Sequence, residues 1–178
     1  SDEYGIPHTT MRDGSPNGYT LIHFDGNEYR SEFMPARRSR DHQMSVAMPA
    51  AVLAESLSSQ TVSVNVFNGA PGDTVEMRVF PGTAAVGQEP QPSAWVIMSE
   101  QPGEDPVYVA TREREEAIPD DIRGFRTIPN PQESHHMWVA ELPADLPTGT
   151  HVVEIRHHNL YGETRLGRHT FRVVAEIE

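Results

Sequence analysis

Proline and glycine interrupt this chain so often that short strands and tight turns, not long helices, are what it can build. There are 15 prolines and 13 glycines in 178 residues. Each proline removes a backbone donor, and glycine opens turn conformations. Between the interruptions, apolar residues alternate. Val62, Val64 and Val66 share one phase of Thr61–Phe67, and Val75, Met77 and Val79 share one phase of Thr74–Phe80. That is the period of a strand with one buried face. A dense turn signal, Asn68–Asp73, separates the two runs, which predicts a hairpin.

Further strands are expected at Met44–Met48 (stopped by Pro49), Trp95–Met98, His136–Leu142, Thr150–His157 and Arg168–Val174. Two phases are open within Thr150–His157: Val152 inward, or Val153 and Ile155 inward. Ala50–Leu57 is expected to give at most a turn or two of helix. Thr111–Ala117 places Arg and Glu at helical spacing and predicts a helix that Pro119 stops. Val64, Val66, Val75, Met77, Trp138 and Phe171 are the expected core, and Trp95 is assigned to the core as well.

The front of the chain carries its own signal. Asp13-Gly14-Ser15-Pro16-Asn17-Gly18 holds three turn-forming pairs, and Asp13 and Asn17 can each bond to backbone two residues on. Tyr19–Phe24 and Glu28–Phe33 alternate around Asp25-Gly26-Asn27, a hairpin signal. Ile22, Phe24, Tyr29 and Phe33 fall on one face, and Pro35 ends the second strand. The whole predicts an all-β class, specifically an immunoglobulin-like antiparallel β-sandwich with an N-terminal β-hairpin.

The formal net charge of −12 opposes non-specific nucleic-acid binding, because polyphosphate repels an acidic surface. Arg37-Arg38-Ser39-Arg40 is a local basic run, read as a solvated loop. Cysteine is absent, which excludes disulfides and thiolate metal sites. No stretch reaches the roughly 20 apolar residues of a membrane span, and the acidic start Ser1-Asp2-Glu3 lacks the pattern of a signal peptide. A first residue other than Met points to a processed or excised piece of a longer protein.

Nine histidines raise the question of metal. His135-His136 and His157-His158 are adjacent pairs, and neighbours on a strand point to opposite faces. One member of each could meet across strands with His151, His169 or Glu133. Surface and hydrogen-bonded core roles are the expectation, and no catalytic, cofactor or metal residue is assigned. There is no Gly-x-Ser-x-Gly and no phosphate-cradling glycine loop.

Ile6-Pro7, Met11-x-Asp13-Gly14-Ser15-Pro16-Asn17-Gly18-Tyr19 and Phe24-Asp25-Gly26-Asn27-x-Tyr29 together resemble the start of the C-terminal domain of bacterial calcineurin-like phosphoesterases. The likeness extends more loosely through Val62–Phe67, Val75–Arg78, Met137-Trp138 and Gly149–His151 to Tyr161-Gly162. It implies a metallophosphoesterase domain that precedes this one in the same polypeptide and binds a divalent metal pair. The metal-ligand motifs of that enzyme class, of the Asp-x-His, Gly-Asn-His-Asp/Glu and Gly-His-x-His kinds, are absent here. The resemblance therefore implies a non-catalytic accessory domain whose partner is that catalytic domain and which shapes substrate access, with no nucleic acid and no membrane span. Residues 1–36 would end or link to the catalytic domain, and 37–178 would form the β-sandwich. Asp13, Asn17 and Tyr19 are the candidate inter-domain docking loop. A periplasmic or extracellular location is implied, with the cytoplasm not excluded. The alternatives are a stand-alone glycan- or protein-binding module, which would expose aromatics, and a metal hydrolase built on the histidines.

Overall fold

A computed structural model describes residues 5, 7, 10–82, 91–123 and 127–176. Its strands are β1 (Gly18–Asp25), β2 (Glu28–Pro35), β3 (Met44–Ala47), β4 (Ala51–Leu53), β5 (Thr61–Val66), β6 (Thr74–Pro81), β7 (Val96–Ile97), β8 (Ser99–Glu100), β9 (Gly103–Glu104), β10 (Glu133–Ser134), β11 (Met137–Glu141), β12 (Gly149–His158) and β13 (Thr164–Val174). A 3₁₀ segment, Ala54–Ser59, follows β4, and helix α1, Pro106–Glu116, follows β9. The chain is thus mostly β, as its alternation predicts.

Two larger sheets carry the core. One runs β3-β5-β11-β8 and the other β4-β13-β12-β6-β7. All pairings are antiparallel except β4 with β13, which is parallel. Val62, Val64, Val66 and Trp138 from the first sheet form one buried cluster with Val75, Met77, Val79, Val153, Ile155 and Phe171 from the second. All the expected core residues except Trp95 are in it. Of the two phases open in β12, Val153 and Ile155 are the inward ones, and Val152 is only half-buried. Burial of apolar faces on both sheets is what drives the arrangement, at roughly 25 cal/mol for each Å² removed from water.

The expected β5–β6 hairpin is not there. β5 bonds to β3 and β11, whereas β6 bonds to β12 and β7, so the 68–73 turn carries the chain from one sheet to the other. Alternation says which side chains point inward but not which neighbour takes the hydrogen bonds. The turn itself is fastened on the second sheet's side. Asp73 accepts from Ala70 N (3.0 Å) and from Leu160 N (3.1 Å), and its Oδ2 lies 2.8 Å from His157 Nε2.

The run Trp95–Met98 also divides. Val96–Ile97 pairs with β6 and Ser99–Glu100 with β11, with buried Met98 at the crossing. Trp95 is not core. Its half-buried ring lies between the guanidinium groups of Arg78 (4.4 Å) and Arg156 (4.1 Å), a double cation–π stack. Helix α1 starts earlier than its Arg/Glu spacing suggests, because Asp105 caps it and Pro106 occupies its first turn.

Three glutamates are buried among the described residues, and two of them, Glu154 and Glu32, each meet more than one arginine. Glu154 accepts from Arg78 (2.8 Å) and from Arg168 (2.9 and 2.7 Å). Glu32 accepts from Arg40 through two bonds (2.5 and 2.6 Å) and from Arg165 (3.3 Å). The basic run is therefore only partly solvated, since Arg40 is spent on the foot of the hairpin. Burial pushes the Glu154 carboxyl up, but its bonds and charge contacts with Arg168 and Arg78 outweigh this and hold it below the usual range. For Glu32 the Arg40 bonds dominate, with the same direction.

Two predictions follow from packing and charge. Trp138→Ala should cost on the order of 3–5 kcal/mol in urea unfolding; an unchanged midpoint would mean that the two sheets do not close on this ring. The second concerns acid. A carboxyl whose folded pKa lies below its unfolded value stabilises the fold fully above that unfolded value, here the ordinary 4.5 of both glutamates. The contribution is lost as pH falls through the depressed folded values. Glu154→Gln should therefore destabilise the chain at neutral pH yet flatten the loss of stability below pH about 4.5, read from melting temperatures across pH. An unaltered acid slope would contradict this.

Candidate functional site

The loop singled out in the sequence is built into the body at one end and free at the other. Asp13 Oδ1 accepts from Ser15 N (2.9 Å), closing the turn two residues on as its side chain predicts. Met11 N donates to Ser15 O (2.8 Å) and Gly14 N to Met11 O (3.0 Å). Gly14 has φ of 86°, and a Cβ there would overlap the Asp105 carboxylate, so the position accepts only glycine without displacement.

Asp105 is the centre of this contact. It is 1% exposed. Its Oδ1 accepts from Val107 N (2.7 Å) and Tyr108 N (2.9 Å), the first free donors of α1. Its Oδ2 accepts from Asn65 Nδ2 (2.6 Å) and, more weakly, from Ser45 Oγ (3.5 Å). Asn65, on β5, also donates to Asp13 O (2.8 Å), while its Oδ1 lies 2.8 Å from His136 Nδ1. His136 Nε2 lies 3.5 Å from Asp13 Oδ2. Both ring nitrogens thus face acceptors. The bond from His136 is the largest cause of an Asp13 pKa held below the usual range, with burial opposing it. Five segments distant in sequence, carrying Asp13, Ser45, Asn65, Asp105 and His136, meet in this one polar knot.

Asn17 and Tyr19 do not join it. Asn17 is exposed, and its carbonyl accepts from Ala36 N (2.7 Å). Tyr19 stands opposite Met34 across the hairpin and is 59% exposed. From there outward, every residue of β1 is exposed. Ile22, Phe24, Tyr29 and Phe33 do share a face, but only Phe33 is buried, packed edge-on against Phe67 with 6.0 Å between centroids. β1 bonds to β2 alone, so its other edge has no strand neighbour among the described residues. The hairpin is an arm fixed at its foot by Glu32, Phe33 and the Gln43–Phe33 bond (2.9 Å).

The histidines are placed apart. His135 meets Glu133 (3.5 Å), His136 belongs to the knot, His151 lies 2.7 Å from Pro147 O, His157 meets Asp73, and His158 lies 2.9 Å from Thr164 Oγ1. Among the described residues no three His, Asp or Glu side chains converge as metal ligands. Asp105, Asn65 and the role of His136 were not read from the sequence. Asp105-Pro106 does carry a helix-start signature, whereas nothing local marks Asn65.

Asp105→Ala should remove the helix cap and strand the Asn65 amide. The expected loss is about 2–4 kcal/mol in urea unfolding, with Asp105→Asn intermediate because it keeps a cap acceptor. Equal stability of Asp105→Ala and the parent would show that the knot is incidental.

The family described as the C terminal of calcineurin-like phosphoesterase matches residues 1–164. No curated protein matches the chain. Among solved structures, the superoxide reductase (neelaredoxin) from Ignicoccus hospitalis is similar at 12% identity, covering 75% of this chain and 81% of that one with a TM-score of 0.35, too low to carry an argument. The family match spans both the hairpin and the two-sheet body, and this chain belongs to the C-terminal domain family of calcineurin-like phosphoesterases.

Proposed function

We propose that this chain is a non-catalytic accessory domain that packs on the metallophosphoesterase domain of its own polypeptide and shapes access to that domain's substrate. The observation that carries this reading is β1: eight exposed residues with one unpaired edge. A long exposed edge rich in apolar side chains is a liability unless something covers it. Thr10 bridges to Pro16 beside the base of β1. A domain that precedes the chain is tethered near Asn17, Tyr19 and Leu21. Asp13 braces the loop from the inside while Asn17 and Tyr19 face the partner. On this reading residues 1–36 are the link to the catalytic domain, and 37–178 are an immunoglobulin-like sandwich. The divalent metal pair belongs to the catalytic domain, and the polypeptide works in the periplasm or outside the cell.

Hydrogen exchange tests the contact. In the full polypeptide the outward-facing β1 amides should exchange at least about tenfold more slowly than in the isolated chain, and Tyr19→Ser with Leu21→Ser should remove the difference. Identical exchange in the two proteins would overturn the docking.

A further inference from the structure

We propose that the tip of the hairpin and the β12–β13 turn form a binding cleft for a neutral sugar ring. This goes beyond the docking reading and stands without it. The face concerned bears Phe24 and Tyr29, opposite in alternation to Tyr19 and Leu21.

The cleft encloses about 790 Å³ and is lined on the hairpin by His23–Asp25 and Asn27–Arg30, and on the turn by Leu160 and Tyr161. Three aromatic rings run across it. Phe24 and Tyr29 stand opposite each other with centroids 6.4 Å apart, and Tyr29 meets Tyr161 at 5.6 Å. Phe24 is 77% exposed and Leu160 64%, an apolar cluster that a soluble surface does not leave bare without use.

The two walls are preset. Arg30 donates to Glu163 at 2.9 Å, tying hairpin to turn. Asn159 Oδ1 accepts from Tyr161 N (3.0 Å) and Glu163 N (2.9 Å), Leu160 N donates to Asp73, and Gly162 supplies the positive φ of 77°. Tyr161 is therefore held in place by backbone bonds before any ligand arrives, which lowers the ordering cost of binding.

The chemistry selects the ligand. Exposed rings offer flat apolar faces with negative π density, suited to the C–H face of a pyranose. Asp25, Asn27 and Glu28 line the cleft and spend their side chains on no partner among the described residues, so they are available to hydroxyl groups. The rim carries two free carboxylates while its Arg30 is already paired. That charge repels uronates, sialic acids and phosphorylated sugars, and leaves neutral hexoses.

The test uses the chain with maltotriose, cellotriose and chitotriose, observed by saturation-transfer NMR and titration. At least one should bind, and Phe24→Ala or Tyr29→Ala should weaken it about tenfold or more. Tyr161→Phe should retain binding, and Ile122→Ala, an exposed apolar residue outside the cleft, should change nothing. Melting curves confirm that the variants remain folded, as expected for exposed rings. Trigalacturonate should not bind. No binding of any neutral trisaccharide, binding indifferent to Phe24 and Tyr29, or binding of tetramethylammonium in their place would overturn the proposal. None of these outcomes bears on exchange protection at Tyr19 and Leu21, so the docking reading is judged separately.

Discussion

Asp105 is a buried carboxyl group with no cation against it among the described residues, and much of the architecture converges on its two oxygens. Its two oxygens take backbone donors from the first turn of α1 and side-chain donors from β5 and β3. The amide dipoles of the helix point their positive end at it. An isolated buried charge would cost many kcal/mol, and only oriented donors on both oxygens make the position tolerable. The same requirement fixes Asn65, which must turn its amide toward Asp105 and its oxygen toward His136. Gly14 then rests on the carboxylate with no room for a side chain. Helix start, first sheet and lead-in loop are consequently one unit.

Two of the other buried acids are handled by a different device. All 14 basic residues of the chain are arginine, and none is lysine. The buried acids Glu32 and Glu154 each receive more than one guanidinium, and Arg78 and Arg156 also cover the faces of Trp95. A planar fork can bond two carboxylate oxygens and stack on a ring at once, which a lysine ammonium cannot do. Glu154 of β12 joins Arg78 of β6 to Arg168 of β13, three adjacent strands clamped across their hydrogen-bond ladders.

Much of this was legible in the chain. Alternation located most strands within a residue or two, because the period of two is imposed wherever one face is buried. It could not distinguish a hairpin from a crossing between sheets, since β5 and β6 present the same inward pattern either way. Trp95 misled for a related reason: a large aromatic in an apolar run reads as core, and nothing nearby reveals two arginines, one from β6 and one from β12, on its faces. For the candidate site, Asp13 showed its turn chemistry, but its partners lie 52 to 123 residues further on, at Asn65 and His136. Tyr161 likewise meets Tyr29 only in the folded chain. Residues that work locally announce themselves; residues that work by meeting do not.

The hairpin illustrates how rigidity and exposure combine. Its foot is fastened by a multiply bonded carboxylate, an edge-on aromatic pair and the Gln43 bond, all within Glu32–Phe33 and the segments that receive them. The eight residues of β1 beyond that foot are exposed, yet they are paired throughout with β2, so they are ordered without being covered. A two-stranded ribbon in water is marginal alone. Here the Arg30–Glu163 bond and the Tyr29–Tyr161 contact brace the far end against the β12–β13 turn. Supported at both ends, the ribbon presents its free edge and its aromatic tip at small further cost in conformational entropy. That is the condition under which a modest exposed surface becomes an effective binding one.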